Sequence, residues 1–77
     1  MTLRHLAIFI KVCEENGITA AAKKLHMTQP SVSQVIQELE AHYQTLLFES
    51  LGRRIFITVA GRRLLRYSLN LINLNAQ

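Results

Sequence analysis

Apolar residues in the first fifteen positions recur at three- and four-residue steps, with Leu3, Leu6, Phe9, Ile10 and Cys13 on one helical face. The spacing predicts a helix from Leu3 to about Glu15. It should close at Asn16-Gly17, where Gly17 can adopt the left-handed conformation of a helix stop. Thr19 then has the chemistry of an N-cap, and the Ala-rich run from Ala20 to Leu25 predicts a second helix of about two turns. Thr28 is the next N-cap candidate, with Pro30 in the first turn behind it, where a missing N–H does no harm. Val32, Val35, Ile36, Leu39 and Tyr43 fall on one side of a third helix reaching about Gln44. Only His26 and Met27 separate the second helix from the third. Helices joined so tightly must cross steeply, which is the geometry of a helix-turn-helix.

Two β-leaning runs follow, Leu46 to Glu49 and Arg54 to Thr58, separated by Ser50-Leu51-Gly52-Arg53, and they predict a small hairpin. Thr58 can cap a last helix from Val59 to about Ala76. The expected fold is therefore mainly α, a winged helix-turn-helix of three helices and a β-hairpin wing, followed by a long C-terminal linker helix. Residues 1–58 form the winged domain on this reading, and residues 59–77 a linker or dimerisation helix.

The 77 residues fit one small domain, and a 49% hydrophobic content argues against disorder. Nine Lys and Arg against five Asp and Glu give a net charge of +4, which favours a polyanionic partner without naming one. The single cysteine, Cys13, allows no intrachain disulfide and no thiolate metal cage. It reads as a small core residue. His5, His26 and His42 have no carboxylate or thiol neighbour at ligand spacing in the sequence, so no metal site is expected. No cofactor is expected, and no phosphate loop, nucleophile elbow or paired catalytic carboxylates suggest an enzyme. No run approaches the length of a membrane span and no signal-peptide pattern opens the chain, so the expected location is the cytoplasm. The chain stops inside a predicted helix, as a piece of a longer protein would.

The third helix decides between function classes. At 100° per residue its outer face carries Pro30, Ser33, Gln34, Gln37 and Ala41, with Thr28, Gln29 and Ser31 at its amino end. Hydroxyls and carboxamides donate and accept, and Gln can pair with the N6 and N7 edge of adenine, so this face suits reading of a DNA major groove. On a lone amphipathic helix the same residues would be ordinary solvated side chains; behind a short helix and a tight turn they point to recognition. The helix has no Lys or Arg. Positive charge must come from Lys23 and Lys24, from Arg53 and Arg54 on the hairpin, and from Arg62, Arg63 and Arg66 beyond, an arrangement in which phosphate contacts position and a polar helix specifies. Arg53 could enter a minor groove or clasp a phosphate. Lys23 and Lys24 could equally be a solvated face.

The last helix has polar residues Arg62, Arg63, Arg66, Asn70, Asn73 and Gln77 in one arc and two apolar stripes elsewhere. One contains Leu65, Leu69, Ile72 and Ala76; the other contains Leu64, Tyr67, Leu71 and Leu74, with Ser68 and Asn75 between them. A surface helix of a monomer needs one stripe, so the second predicts self-association, assigned to Leu64, Tyr67, Leu71 and Leu74, unless a downstream domain covers it. A dimer would set two recognition helices about 34 Å apart, or a multiple of that, on a near-palindromic operator.

The residues themselves form a familiar series. Leu3-Arg4-His5-Leu6 with Phe9, then Thr19-Ala20-Ala21-Ala22 and Leu25-His26-Met27-Thr28-Gln29-Pro30-Ser31-Val32-Ser33, resemble the LysR-type transcriptional regulators. Ile36, Leu39-Glu40, Leu47-Phe48-Glu49, Gly52-Arg53-Arg54, Thr58 and Ala60-Gly61 continue the pattern over nearly all the chain. The resemblance implies a bacterial transcription factor, sequence-specific for double-stranded DNA, with Thr28, Gln29, Pro30, Ser33 and Gln34 against bases or phosphates and Arg53 in the wing. It also implies a dimerising linker helix, and, beyond these residues, an effector-binding domain that supports tetramers. Four places depart from the family pattern. Tyr43-Gln44 stands for a common Leu-Gly, so the third helix is expected to end differently; Ser50 with Leu51 stands for a common arginine, which removes a positive charge from the base of the wing, Gln34 for a frequent arginine and Val59 for a frequent acid, and fewer phosphate contacts are expected. The competing reading is a winged-helix protein-interaction module without DNA binding. A single-strand binder would need exposed aromatic platforms, and the aromatics are expected mostly in the core.

Overall fold

The computed structural model describes the backbone of residues 1–76 and the side chains of residues 1–74, so Gln77 and the side chains of Asn75 and Ala76 lie outside the described residues. Four helices and one hairpin follow in order: α1 (Leu3–Glu15), α2 (Ile18–Leu25), α3 (Gln29–Tyr43), β1 (Phe48–Leu51), β2 (Arg54–Ile57) and α4 (Val59–Ala76). The expected order is the observed one, and it is the winged helix-turn-helix with a trailing helix.

The helix ends obey local chemistry with two corrections. Thr2 caps α1 by accepting the His5 N–H, and Thr28 caps α3 by accepting the Ser31 N–H at 3.2 Å, with Pro30 in the first turn. The stop of α1 is Asn16, at φ 56°, and not Gly17. Asn tolerates the left-handed region because its short amide can bond locally, which frees Gly17 to lie extended as the N-cap of α2. Thr19, read as that cap, is instead an exposed residue of the first turn. His26 and Gln44 also stop their helices left-handed, at φ 56° and 54°. The Gln44 departure therefore leaves the end of α3 in place and puts a residue with a Cβ where glycine is favoured.

The hairpin is antiparallel with Phe48 opposite Ile57 and Leu51 opposite Arg54, so β1 begins later and runs further than predicted. Its turn shrinks to Gly52-Arg53. A two-residue turn needs positive φ, and Gly52 supplies it at 63°. Leu46 and Leu47, taken for strand, form the connector that anchors the wing.

The core is built from Leu6, Ile8, Phe9 and Val12 of α1, Ala21 and Ala22 of α2, Val32, Ile36 and Leu39 of α3, then Leu47 and Leu64. Helix α1 touches α2, α3 and α4, so its buried arc is wider than the single stripe expected. Ile8 and Val12 are buried, Ile10 and Cys13 only half so, and Leu3 is exposed. The Phe9 and Phe48 rings, 5.5 Å apart, join α1 to the wing. Helix α4 docks through Leu64 and the fully buried Ser68, whose hydroxyl donates to the Leu64 carbonyl at 2.7 Å. Among the described residues no helix is long and apolar enough to cross a membrane.

Gly61 permits a close approach of α4 to the connector. A Cβ there would collide with the Leu47 carbonyl oxygen and come within 2.6 Å of Ile57 Cγ1. Gly61→Ala is therefore expected to destabilise by about 1 to 3 kcal/mol, while Gln44→Gly, which relieves the left-handed stop, should stabilise by up to about 1 kcal/mol. Urea midpoints moving in opposite directions at constant slope would show both.

Candidate nucleic-acid interface

Helix α3 turns Val32, Ile36 and Leu39 inward, and its opposite side is left to solvent. There Pro30, Ser33, Gln34, Gln37 and Ala41 line one shallow hollow of about 500 Å³, joined by Glu38, which the sequence reading did not include. Ser33 and Gln37 also border a hollow of about 190 Å³ toward Ser50 and Ile55 of the wing. At the amino end Gln29 is exposed, while Thr28 and Ser31 bond to each other. The Thr28 hydroxyl accepts the Ser31 N–H and donates to Ser31 Oγ at 2.7 Å, so its one proton is committed and the Ser31 O–H is the donor left for a ligand.

A further hollow of about 410 Å³ is lined by residues 15–20, at the amino end of α2, together with Gln29, Arg53 and Ile55. The fold thus brings Gln29 and the wing-tip Arg53 to one depression, with the exposed Thr19 beside them. Lys23 and Lys24 are exposed in the last turn of α2, at the other end of that helix, and Arg54 is exposed on the hairpin. Arg62, Arg63 and Arg66 are exposed along α4. Phe56, Tyr43 and Tyr67 are exposed too, contrary to the expectation that the aromatics lie mostly in the core.

Two carboxylates hold this surface together, and neither was anticipated. Glu40 reaches from α3 to the connector, where its Oε2 accepts the Leu47 N–H at 2.8 Å and the Phe48 N–H at 3.4 Å. Glu38 accepts from His5 Nε2 at 2.8 Å and from Gln34 Nε2 at 3.3 Å. The His5 hydrogen bond holds the Glu38 carboxyl below its ordinary range. Helical periodicity showed Glu38 one turn beyond Gln34, but His5 is distant in sequence, so its carboxylate partner was invisible there. Among the described residues no cluster of three His, Cys, Asp or Glu forms a metal site. Burial pushes the Cys13 thiol up to about 11, which leaves it a protonated, unreactive side chain at neutral pH.

The second stripe of α4 is divided by the fold. Leu64 belongs to the core at 7% exposed and Leu71 is half-buried, whereas Tyr67 and Leu74 are more than half exposed, at 53% and 69%. Tyr67 opens onto a groove of about 670 Å³ that Tyr43, Thr45, Leu47, Val59, Ala60, Arg63 and Leu64 complete. Of the first stripe, Leu65 and Ile72 pack on the core and Leu69 is exposed.

Residues 3–62 match the model of the bacterial regulatory helix-turn-helix proteins of the lysR family. The chain belongs to that family. It is 41% identical over 68 residues to a RuBisCO operon transcriptional regulator of Allochromatium vinosum, covering 88% of this chain and 22% of that protein. It is 40% identical over 73 residues to the HTH-type transcriptional regulator ClcR of Pseudomonas putida, covering 95% of this chain and 25% of the relative. The chain thus spans about a quarter of the length of these relatives. Among solved structures, the DNA-binding domain of BenM in complex with catB site 1 DNA superposes with a TM-score of 0.94 at 38% identity, covering 100% of this chain and 83% of that one. The CbnR DNA-binding domain in a DNA complex gives 0.93 at 37% identity, covering 99% and 87%. The 77 residues are a LysR-type DNA-binding domain.

The Glu40 bracket carries the aim of the wing. Glu40→Ala leaves the Leu47 and Phe48 N–H groups without that acceptor and is expected to cost about 1 to 3 kcal/mol. Amide exchange at those two positions should accelerate more than at Val32, and equal acceleration throughout would show that Glu40 supports the whole fold instead.

Proposed function

We propose that this domain binds one half-site of a near-palindromic operator, with α3 in the major groove and the wing against the neighbouring backbone. The observation that carries this reading is the position of Gln29 at the amino end of a helix face without Lys or Arg, beside Arg53 and the amino end of α2. Gln29, Ser33 and Gln34 read base edges, with Gln37 one turn further along. Pro30 lets the first turn of α3 approach closely, and Thr28 presents Ser31 to the backbone. Arg53 holds a phosphate or enters the minor groove, and Lys23, Lys24 and Arg54 contribute phosphate contacts. The BenM and CbnR domains that share this fold are seen in complex with DNA, which supports this reading.

The functional unit on this proposal is a homodimer joined through α4. The exposed Tyr67 and Leu74 give the contact, Leu71 flanks it and Leu64 forms its floor from within the core. The whole protein, a cytoplasmic regulator and not an enzyme, would add an effector-binding domain and assemble further, as tetramers.

Gln29→Ala is expected to cost about 1 to 3 kcal/mol at one base pair and to relax preference there. Arg53→Ala should weaken all sequences alike and flatten the dependence of log K on log salt by about 0.9. Fluorescence anisotropy across a salt series checks both, and salt-independent binding would favour a protein-interaction module.

For the dimer, Tyr67→Glu combined with Leu74→Glu should leave helix content unchanged while sedimentation shifts to a monomer. Operator affinity would then fall toward that of a single half-site, and an unshifted sedimentation profile would remove α4 as the interface.

A further inference from the structure

A continuous chain of hydrogen bonds runs from the start of α1 to the recognition face of α3. The Thr2 hydroxyl lies 2.9 Å from His5 Nδ1 and also accepts the His5 backbone N–H. The Glu38 carboxylate only accepts, so Nε2 carries the hydrogen that faces it, and in the neutral ring Nδ1 is then the acceptor of the Thr2 hydroxyl proton. That Nε2 lies 2.8 Å from Glu38 Oε2, and the second carboxylate oxygen accepts from Gln34 Nε2 at 3.3 Å. An ionised carboxylate only accepts, so it can hold the nitrogen end of the Gln34 amide and not its oxygen.

We infer that Glu38, braced by His5, is a specificity-determining positioning residue that fixes which way round the Gln34 carboxamide meets the bases. This rests on Gln34 being a base reader, as proposed above. With one N–H held by Glu38, the amide keeps its oxygen and one N–H for the groove. An acceptor beside a single donor matches the N6 amine and N7 of adenine. It mismatches guanine, whose O6 and N7 both accept, and which an amide free to turn could meet with its NH₂ group. Glu38 therefore selects adenine over guanine without touching either. Glu38 lines the same hollow as Gln34 and sits one helical turn away, while His5 holds it from another helix, so the orientation does not depend on α3 alone.

The test is a competition assay on duplexes varied at each base pair of the operator half-site, with wild type, Gln34→Ala, Glu38→Ala, Glu38→Gln and the Gln34→Ala/Glu38→Ala double variant, all compared by thermal midpoint. Wild type should prefer adenine over guanine at one pair by about tenfold. Glu38→Ala should reduce that ratio to about threefold or less while leaving the other pairs unchanged. Glu38→Gln, which retains an oxygen for the Gln34 N–H, should keep more of the ratio than Glu38→Ala. In the double variant the Glu38 change should add nothing to Gln34→Ala. An unchanged ratio in Glu38→Ala, with Gln34→Ala abolishing it, overturns the inference and leaves Gln34 a reader. A Glu38→Ala effect that persists without Gln34 also overturns it, because Glu38 would then read a base itself. Preferences untouched by Gln34→Ala would overturn both this inference and the assignment of Gln34.

Discussion

Leu47 is where the separate parts of this domain are made into one body. Its side chain is in the core, its N–H donates to Glu40 of α3, and its carbonyl accepts the Thr58 N–H at 3.0 Å. The same carbonyl lies against Gly61, where only the absence of a Cβ lets α4 come so near. Thr58 completes the joint, because its hydroxyl donates to the Leu46 carbonyl at 2.7 Å and accepts the Gly61 N–H at 2.9 Å as the cap of α4. The Leu47 N–H, the Leu47 carbonyl and the Leu46 carbonyl each have a partner supplied by a different element. The wing, the recognition helix and the linker helix therefore cannot move independently at this point, and the aim of Arg53 relative to Gln29 follows from it.

On the proposed reading, that rigidity explains how a weakly charged recognition surface can suffice. The chain's net charge of +4, with exposed cations on α2, the hairpin and α4, gives attraction to a polyanion, but long cationic side chains are poor readers of base sequence. Short hydroxyls and carboxamides on α3 have little reach, so their usefulness depends on the helix being held at a set depth by contacts elsewhere. The division between charge on the periphery and uncharged polarity at the centre is the electrostatic counterpart of the Leu47 joint. Glu38 fits the same logic, since a negative group on the surface proposed to face DNA is tolerable when its charge is spent on His5 and Gln34.

The element order was legible because it rests on periodicity and caps, and Thr28, Pro30 and Thr58 carry short-range signals that tertiary contacts did not override. The finer errors have physical causes. At Asn16-Gly17 two residues could take the left-handed stop, and the choice fell to Asn16 because Gly17 was needed extended ahead of α2. The strand register turned on Gly52, whose positive φ defines a shorter turn than the β propensity of Leu46 suggested. The breadth of the buried face of α1 depends on α4 packing against it, a long-range fact absent from the α1 sequence. In the candidate interface, the outer residues of α3 were readable from the helical period. The Glu40 bracket and the His5 to Glu38 bond join separate elements and leave no local pattern.

The division of α4 follows from the same distinction between local and long-range information. A helical wheel separates apolar from polar positions but cannot say which apolar arc meets the core, and α4 is apolar over most of its circumference. Docking is decided where α4 starts, by Gly61 against Leu47, and that contact sets the rotation of the whole helix. Once Gly61 faces inward, Leu64 and Ser68 must follow it at three- and four-residue steps, and Tyr67 and Leu74 are carried outward. Ser68 marks the seam. Its hydroxyl is satisfied within its own helix, so a polar side chain can be wholly buried there at little cost and allow close packing against α1. The exposed apolar arc of α4 is therefore a consequence of the same joint that aims the wing, and the surface proposed for self-association keeps a constant rotation relative to the face proposed to meet DNA.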